Sequence, residues 1–339
     1  SDSKFKQQKL PAWQPILTAE SVLPLLFAVG VSFIPIGIAF LIVTNAVKEK
    51  VIDYTYCVSV DNANATCANI ISDNITTVCK CQVQFNLESD YPAPVFLYYK
   101  LKNFYQNHRR YVKSRDDDQL LGKDKTGMSI SECEPFYKDS NTGLYYAPCG
   151  AIANSLFNDT FSLSYQLNDP NITNSDMNIA VNLIKRNIAW LTDRNSKFHN
   201  PQDFFDDSIT VFKKSIQPLN WRKNVYQLDT EDPTNNGYNN EELMVWMRVA
   251  AFHNFRKLHR HINHTGLFKN GLKSGNYSFI IEYNYPVTKF DGRKKLILTT
   301  TSFLGGKNSF LGIAYLVVGC LSIVIGVIFV IIHFRVGKK

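Results

Sequence analysis

The chain has 339 residues, 45% of them hydrophobic and 19% charged, with a formal net charge of +8. Its apolar residues concentrate in two uncharged runs, one near each end, which argues against a soluble chain built round a single buried core. The roughly 260 residues between the runs can bury a core as one or two units. They carry no internal repeat and no long low-complexity segment, which excludes a solenoid.

A tail with Lys4, Lys6 and Lys9 leads to 27 residues without charge between Glu20 and Lys48. A helix needs about 20 apolar residues to cross a bilayer core, so this run predicts a transmembrane helix over 22–47. Its apolar stretch is too long for a cleavable signal. A second uncharged run, 25 residues between Lys307 and His333, predicts another over 309–332. Gly30 and Gly37 in the first span, and Gly312, Gly319 and Gly326 in the second, recur every seven residues, with Ser322 between the last two. Such stripes let helix backbones approach closely in lipid. Gly312, Gly319, Ser322 and Gly326 are therefore expected to face another helix, in this chain or in a partner.

Two spans put the tails 1–21 and 333–339 on one side and the loop 48–308 on the other. Basic residues do not decide which side is which. Arg335, Lys338 and Lys339 join the tail lysines, but Lys48, Lys50, Arg293, Lys294, Lys295 and Lys307 flank the loop, and the positive-inside rule is weak for long loops. Cysteine and asparagine are more informative. Six of seven cysteines lie in the loop, at Cys57, Cys67, Cys79, Cys81, Cys133 and Cys149, and Cys320 lies in the second span. An even count points to disulfides and an oxidising compartment. Six N-x-[ST] sequons, at Asn64, Asn74, Asn158, Asn171, Asn263 and Asn276, share the loop and are candidate N-glycosylation sites. The loop is thus expected to be lumenal or extracellular, the tails cytosolic, and nucleic acid is excluded as a partner.

Within the loop, "CQVQFNL" alternates as a strand. Leu97, Leu101, Phe104, Tyr105, His108, Tyr111 and Val112 recur at helical spacing and predict a helix over 97–112. It runs into a charge-dense stretch, Asn103–Leu120, with Arg109, Arg110, Lys113, Arg115, Asp116 and Asp117. These six can pair within the domain or dock a partner. The Asn-rich region 168–182 reads as an exposed loop. Met247, Ala251, Phe255, Leu258 and Ile262 predict a second helix over 240–262, capped by Asn239 with Glu242 reaching back. Phe279, Ile281, Tyr283, Tyr285 and Val287 alternate on one strand face. Pro286 suggests an edge position, and Asp291-Gly292 before "LILTTTSF" predicts a hairpin. The expected fold is a membrane protein with two transmembrane helices and a large α+β ectodomain, built on an antiparallel β core with helical insertions.

Catalytic and metal motifs do not survive inspection. "DKTG" at Asp124–Gly127 resembles the phosphorylated aspartate motif of P-type ATPases, but Met128 follows and the segment lies on the wrong side of the membrane. An EF-hand register on Asp232, Thr234, Asn236 and Gly237 puts Leu243 where a bidentate Glu is required, with Glu242 one residue off. His253, His259, His261 and His264 lack i, i+4 spacing. No G-x-S-x-G elbow occurs, and nothing places Asp116 and Asp117 in a cleft. No catalytic residue, metal site or cofactor is expected.

The segments "FKQQKLPAWQPILTA", "NFYQNHRRYVKSRDD", "APCGAIANSLFNDTF", "IAWLTDRNSKF", "NNGYNNEELMVWMR" and "YNYPVTKFDGRKKLILTTTSFLGGKNSFLGIAYL" follow one another in this order. Together they closely resemble the cell division control protein 50 family, also called transmembrane protein 30. Small departures are Leu191 beside Trp190, Phe303-Leu304 before "GGKN", and Ser309. The resemblance implies a non-catalytic accessory (beta) subunit of a type IV P-type ATPase, a phospholipid flippase. Such a subunit supports folding, ER exit and the transport cycle of the catalytic (alpha) subunit, which moves phospholipid from the exoplasmic to the cytosolic leaflet. It implies a glycoprotein of the endoplasmic reticulum, Golgi, endosomes and plasma membrane, in contact with the pump and membrane lipids. It also implies the pairing Cys57–Cys81 around Cys67–Cys79, with Cys133–Cys149 apart. A two-span ligand-gated channel subunit and an adhesion or receptor ectodomain are the competing readings. The spans offer a pore only Ser32, Thr44, Asn45 and Ser322.

Overall fold

The computed structural model describes residues 2–11, 18–73, 77–124, 131–167, 178–205 and 208–336. The chain divides into two units: its ends, Ser1–Val47 and Ser302–Lys339, form one, and Lys48–Thr301 the other.

In the first unit, helices Ala19–Ala46 and Phe310–Val336 are long and apolar enough to cross a membrane. Only 11% of the most apolar window of each is buried, which excludes a soluble core helix. The first begins three residues before the expected span, and the second ends four residues after its own. They pack on each other through the glycines. Gly30, Gly37, Gly312, Gly319 and Gly326 are buried, and Ser322 is half-buried. A Cβ on Gly319 would lie 2.9 Å from Ile34 Cγ1, and one on Gly37 2.9 Å from Leu316 Cγ, so each helix offers small residues to the other's bulky ones. Tyr315 fills the seam between Phe33 and Phe40, at 4.8 and 5.4 Å between ring centroids.

Two antiparallel sheets organise the second unit. The strands are β1 (Glu49–Asp53), β2 (Cys79–Leu87), β3 (Val95–Lys102), β4 (Thr160–Gln166), β5 (Asn178–Val181), β6 (Leu183–Ile184), β7 (Phe255–Ile262), β8 (Gly275–Tyr283) and β9 (Arg293–Thr300). One sheet has the order β1-β9-β3-β7-β6, the other β2-β8-β4-β5. Two-residue pairs join Tyr91–Pro92 to Gly271–Leu272 and Tyr145–Tyr146 to Ser215–Ile216, the latter parallel. Alternation explains the strands: Val95, Leu97, Tyr99 and Leu101 are buried on β3, and Tyr277, Phe279, Ile281 and Tyr283 on β8. These inward faces share one core. Tyr99 stacks on Phe157 at 4.0 Å, and Phe161 of β4 meets His259 of β7 at 4.9 Å.

Several sequence expectations fail here. Residues 97–102 are strand, and helix appears only at Arg109–Lys113. The helix expected over 240–262 stops at Met247, and 255–262 is strand β7. Its cap is Asn240, whose side chain accepts from Leu243 N at 2.9 Å, not Asn239. Asp291-Gly292 joins no hairpin, because β8 and β9 belong to different sheets; Asp291 takes φ 55° at the end of the Thr288–Phe290 turn. Pro286 lies beyond β8, which is flanked by β2 and β4 and is no edge. The polar region 168–182 contains β5, while 168–177 fall outside the described residues.

Candidate functional site

Buried charges join strands, helix ends and irregular segments of the second unit. Asp159, just before β4, and Lys294 of β9 are both fully buried, with Lys294 Nζ 2.6 Å from Asp159 Oδ2. The same oxygen accepts from Tyr54 Oη at 2.9 Å, and Oδ1 accepts from the backbone of Asn284 and Tyr285 at 2.6 and 2.7 Å. Lys294 also donates to Tyr285 O at 2.7 Å and lies 3.0 Å from the centroid of Tyr283. A buried carboxylate needs this saturation, because an unpaired charge in a dry interior costs several kcal/mol. Burial lowers the Lys294 pKa to about 8, against the pull of Asp159. Burial acts on the neighbouring phenol in the opposite direction: with Asp159 next, it pushes Tyr54 well above its ordinary value.

Glu241 forms a second node. One oxygen accepts from the backbone of Ile188 and Ala189 at 2.8 and 3.0 Å; the other accepts from Asn187 N at 3.0 Å and Arg194 at 3.3 Å. A helix N-terminus thus holds an otherwise irregular segment in place. Lys257 of β7 closes the other end of that helix, donating to the carbonyls of Val245, Trp246 and Arg248 at 3.0, 2.6 and 2.8 Å. These are among the carbonyls that a helix C-terminus leaves without partners. Burial pushes the Lys257 ammonium well below its ordinary value.

Between the sheets lies a cavity of about 360 Å³, walled by Tyr99 and His259, by Asn158 and Glu282, and by Trp221 and Glu242. Glu242 pairs with Arg260. Burial raises the Glu242 pKa, but Arg260 and His259 pull it below its ordinary value. Burial, then the Arg260 charge, drops His259 to about 4, so its imidazole is neutral at physiological pH.

The Asn103–Leu120 charges divide into two groups. Arg115 Nε pairs with Asp117 at 2.9 Å, and Asp116 caps the Asp117–Leu120 helix, accepting from Asp118 N and Gln119 N at 2.8 and 3.0 Å. Arg109, Arg110 and Lys113 are exposed. The cysteines pair as Cys57–Cys81, Cys67–Cys79 and Cys133–Cys149. Among the described residues, the one cluster of metal-ligating types is Cys57, Cys67 and Cys81, all in disulfides. The histidines have separate surroundings. His253 stacks on Tyr105, His261 Nε2 meets Asn187 O at 2.8 Å, and His264 Nε2 accepts from Val95 N at 3.1 Å. Asp232 and Asn236 cap their own short turns. Of the sequons, Asn64 is exposed, and Asn158, Asn263 and Asn276 are half-buried; Asn74, Asn171 and Lys125–Gly127 of "DKTG" fall outside the described residues.

The sequence reading missed Asp159, Lys294, Glu241 and Lys257. The available signal was a charged residue at an inward position of an alternating strand, as at Lys257 and Lys294.

The sequence pattern of the LEM3 (ligand-effect modulator 3) family / CDC50 family matches residues 40–339. The chain belongs to this family. Mouse cell cycle control protein 50A is 47% identical over 336 residues, covering 98% of this chain and 89% of that protein. Human cell cycle control protein 50B is 44% identical over 335 residues, with 98% and 93% covered. A more distant relative, putative ALA-interacting subunit 2 of Arabidopsis thaliana, is 37% identical over 341 residues, with 98% and 87% covered. The CDC50 match takes in the whole sheet domain and Asp159, Glu241, Lys257 and Lys294, so these nodes lie inside the region that relates the chain to its family.

Proposed function

We propose that this chain is a non-catalytic accessory subunit of a phospholipid-flipping type IV P-type ATPase. Membership of the CDC50 family over residues 40–339 carries the reading, and one relative is itself named an ALA-interacting subunit. The sheet domain faces the lumen or the exterior, where its three disulfides persist. The tails face the cytosol. The complex travels from the endoplasmic reticulum through Golgi and endosomes to the plasma membrane.

The subunit acts by binding. A partner that binds the folded pump stabilises it by mass action, and contacts that differ between states bias the transport cycle. The glycine seam is used between the two helices of this chain, and the bulky outer faces meet lipid or pump helices. Arg109, Arg110 and Lys113 are exposed and, among the described residues, form no ion pair. They are the docking candidates for acidic lumenal loops of the pump.

The test is to express a pump with and without this chain, purify in mild detergent, reconstitute, and follow labelled phospholipid between leaflets. Pump should be recovered from the Golgi and plasma membrane, with ATP-dependent flux, only when this chain is present. Equal abundance, trafficking and flux in both cases would reject the assignment. ATP-independent ion current from this chain alone would support a channel instead.

A further inference from the structure

The glycine seam fixes more than the contact between the two long helices. A Cβ on Gly326 would lie 3.2 Å from the Phe27 ring, and one on Gly312 2.8 Å from Leu41, so Ala19–Ala46 and Phe310–Val336 run antiparallel. Ala19 stands eight residues before Phe27, and Val336 ten after Gly326, about 12 and 15 Å along the helices. The two tails therefore leave the pair at the same end and at nearly the same level.

The residues there share one sign of charge. Segments 1–21 and 333–339 hold Lys4, Lys6, Lys9, Arg335, Lys338 and Lys339 against Asp2 and Glu20. Lys4, Lys6, Lys9 and Arg335 are exposed, and among the described residues none of them forms an ion pair. Exposed apolar side chains stand among the lysines. Gln7 N donates to Ser3 O at 3.0 Å, Gln8 N to Phe5 O at 3.1 Å and Lys9 N to Lys4 O at 2.8 Å, which closes residues 3–9 into a tight turn. Phe5 on that turn is 76% exposed, and Leu10 just after it 57%. Apolar side chains that enter the headgroup–acyl boundary, beside basic ones that meet headgroup anions, make an interfacial anchor. Eight residues separate Leu10 from Ala19. Fully extended they reach about 30 Å, so the turn is tethered within reach of the bilayer surface.

We propose that the turn over residues 3–10 docks on the bilayer and selects anionic phospholipid. Phe5 enters the interface, and Lys4, Lys6 and Lys9 meet the headgroup anions. Arg335 adds charge from the neighbouring helix end. Recognition is by charge, so phosphatidylserine and phosphatidylglycerol serve alike. On the reading that the tails are cytosolic, the turn senses the charge of the leaflet that receives the pump's phospholipid. The lipid preference itself does not depend on that reading.

The experiment uses the full chain, purified in mild detergent and reconstituted in bilayer discs. Gln7→Cys in a Cys320→Ala background carries an environment-sensitive dye on the turn. The expected result is a blue shift of the dye in discs containing phosphatidylserine or phosphatidylglycerol, and little shift in phosphatidylcholine alone. Salt at about 1 M, where the screening length is about 3 Å, should remove it. Each lysine at a charged surface is worth roughly a fivefold preference. Lys4→Gln, Lys6→Gln and Lys9→Gln together should therefore lower the docked-to-free ratio at least about tenfold. Phe5→Ser should weaken docking in charged discs and leave the preference for anionic over neutral lipid in place. Equal emission in charged and neutral discs would overturn the proposal. So would a shift that survives high salt, a triple variant docked as well as the parent, or a response to phosphatidylserine that phosphatidylglycerol does not reproduce. Labelling of the same cysteine by an impermeant reagent outside intact cells would instead overturn the cytosolic placement, and with it the sensing role.

Discussion

Replacing Asp159 by Asn tests how the sheet domain is held together. The change keeps size and shape and preserves the sequon, but removes the charge that Lys294 meets at 2.6 Å with neither side chain exposed. The ammonium keeps its bond to Tyr285 O and its place over the Tyr283 ring, yet loses its counter-charge. The Tyr54 hydroxyl and the amides of Asn284 and Tyr285 exchange a carboxylate for a weaker acceptor. Breaking a buried pair on one side costs about 3–5 kcal/mol, against a total stability of roughly 5–15 kcal/mol for a domain. At about 2–4 °C per kcal/mol for a domain of this size, thermal unfolding should begin roughly 10 °C lower. The assay is tryptophan fluorescence of the purified full chain, since Trp221 and Trp246 are buried in this unit. Adding Lys294→Met removes the stranded charge as well, so the double variant should recover about half of the loss or more. A shift under about 3 °C for Asp159→Asn, or a double variant no better than the single, would refute the reasoning.

Lys257→Met leaves three helix-end carbonyls without a donor and should cost about 2–3 kcal/mol; urea unfolding within error of the parent would reject that role. His259 gives a pH signature. Its folded pKa of about 4 lies below the ordinary 6.5, so between these values the unfolded chain binds more protons and stability falls as pH drops. The effect is up to about 3 kcal/mol between pH 6.5 and 4, and His259→Gln should flatten that part of the stability curve. Gly319→Leu should lower the yield of folded chain severalfold, because its side chain collides with Ile34, whereas Val318→Leu on the exposed face should not; equal yields would place the seam elsewhere.

How much of this was legible in the sequence differs by element. The two apolar helices announce themselves by length and absence of charge, and β2 and β8 by clean alternation. The region 97–102 misled because a spacing of four is shared by both periods: Leu97 and Leu101 lie on one face of a helix and on one face of a strand. Tyr99 breaks the tie, since a residue two positions on is buried in a strand and turned away in a helix, and it is 5% exposed. The stretch 255–262 hid its strand differently. Two of its inward positions are Lys257 and His259, so the hydrophobic pattern skips them, and a bulge between Leu258 and Arg260 shifts the register.

The candidate site was legible to the extent that it depends on local sequence. Arg115, Asp116 and Asp117 interact within a few residues of one another, and the sequence displays them as a cluster. Asp159 and Lys294 are 135 positions apart, and no single-sequence pattern links a residue before one strand to a residue within another. Glu241 and the 187–189 amides pose the same problem at a separation of about 50. Sequence also marks charge without marking burial, and burial decides the consequence. The exposed Arg109, Arg110 and Lys113 can be lost at little cost to the fold, so their worth must come from what they meet. Asp159, Glu241, Lys257 and Lys294 cannot be lost cheaply: Asp159–Lys294 ties an irregular segment to a strand, Lys257 ties a helix end to a strand, and Glu241 ties an irregular segment to a helix. Losing a buried node should therefore reduce the amount of folded subunit, whereas losing an exposed arginine should change only how well intact subunit holds its partner.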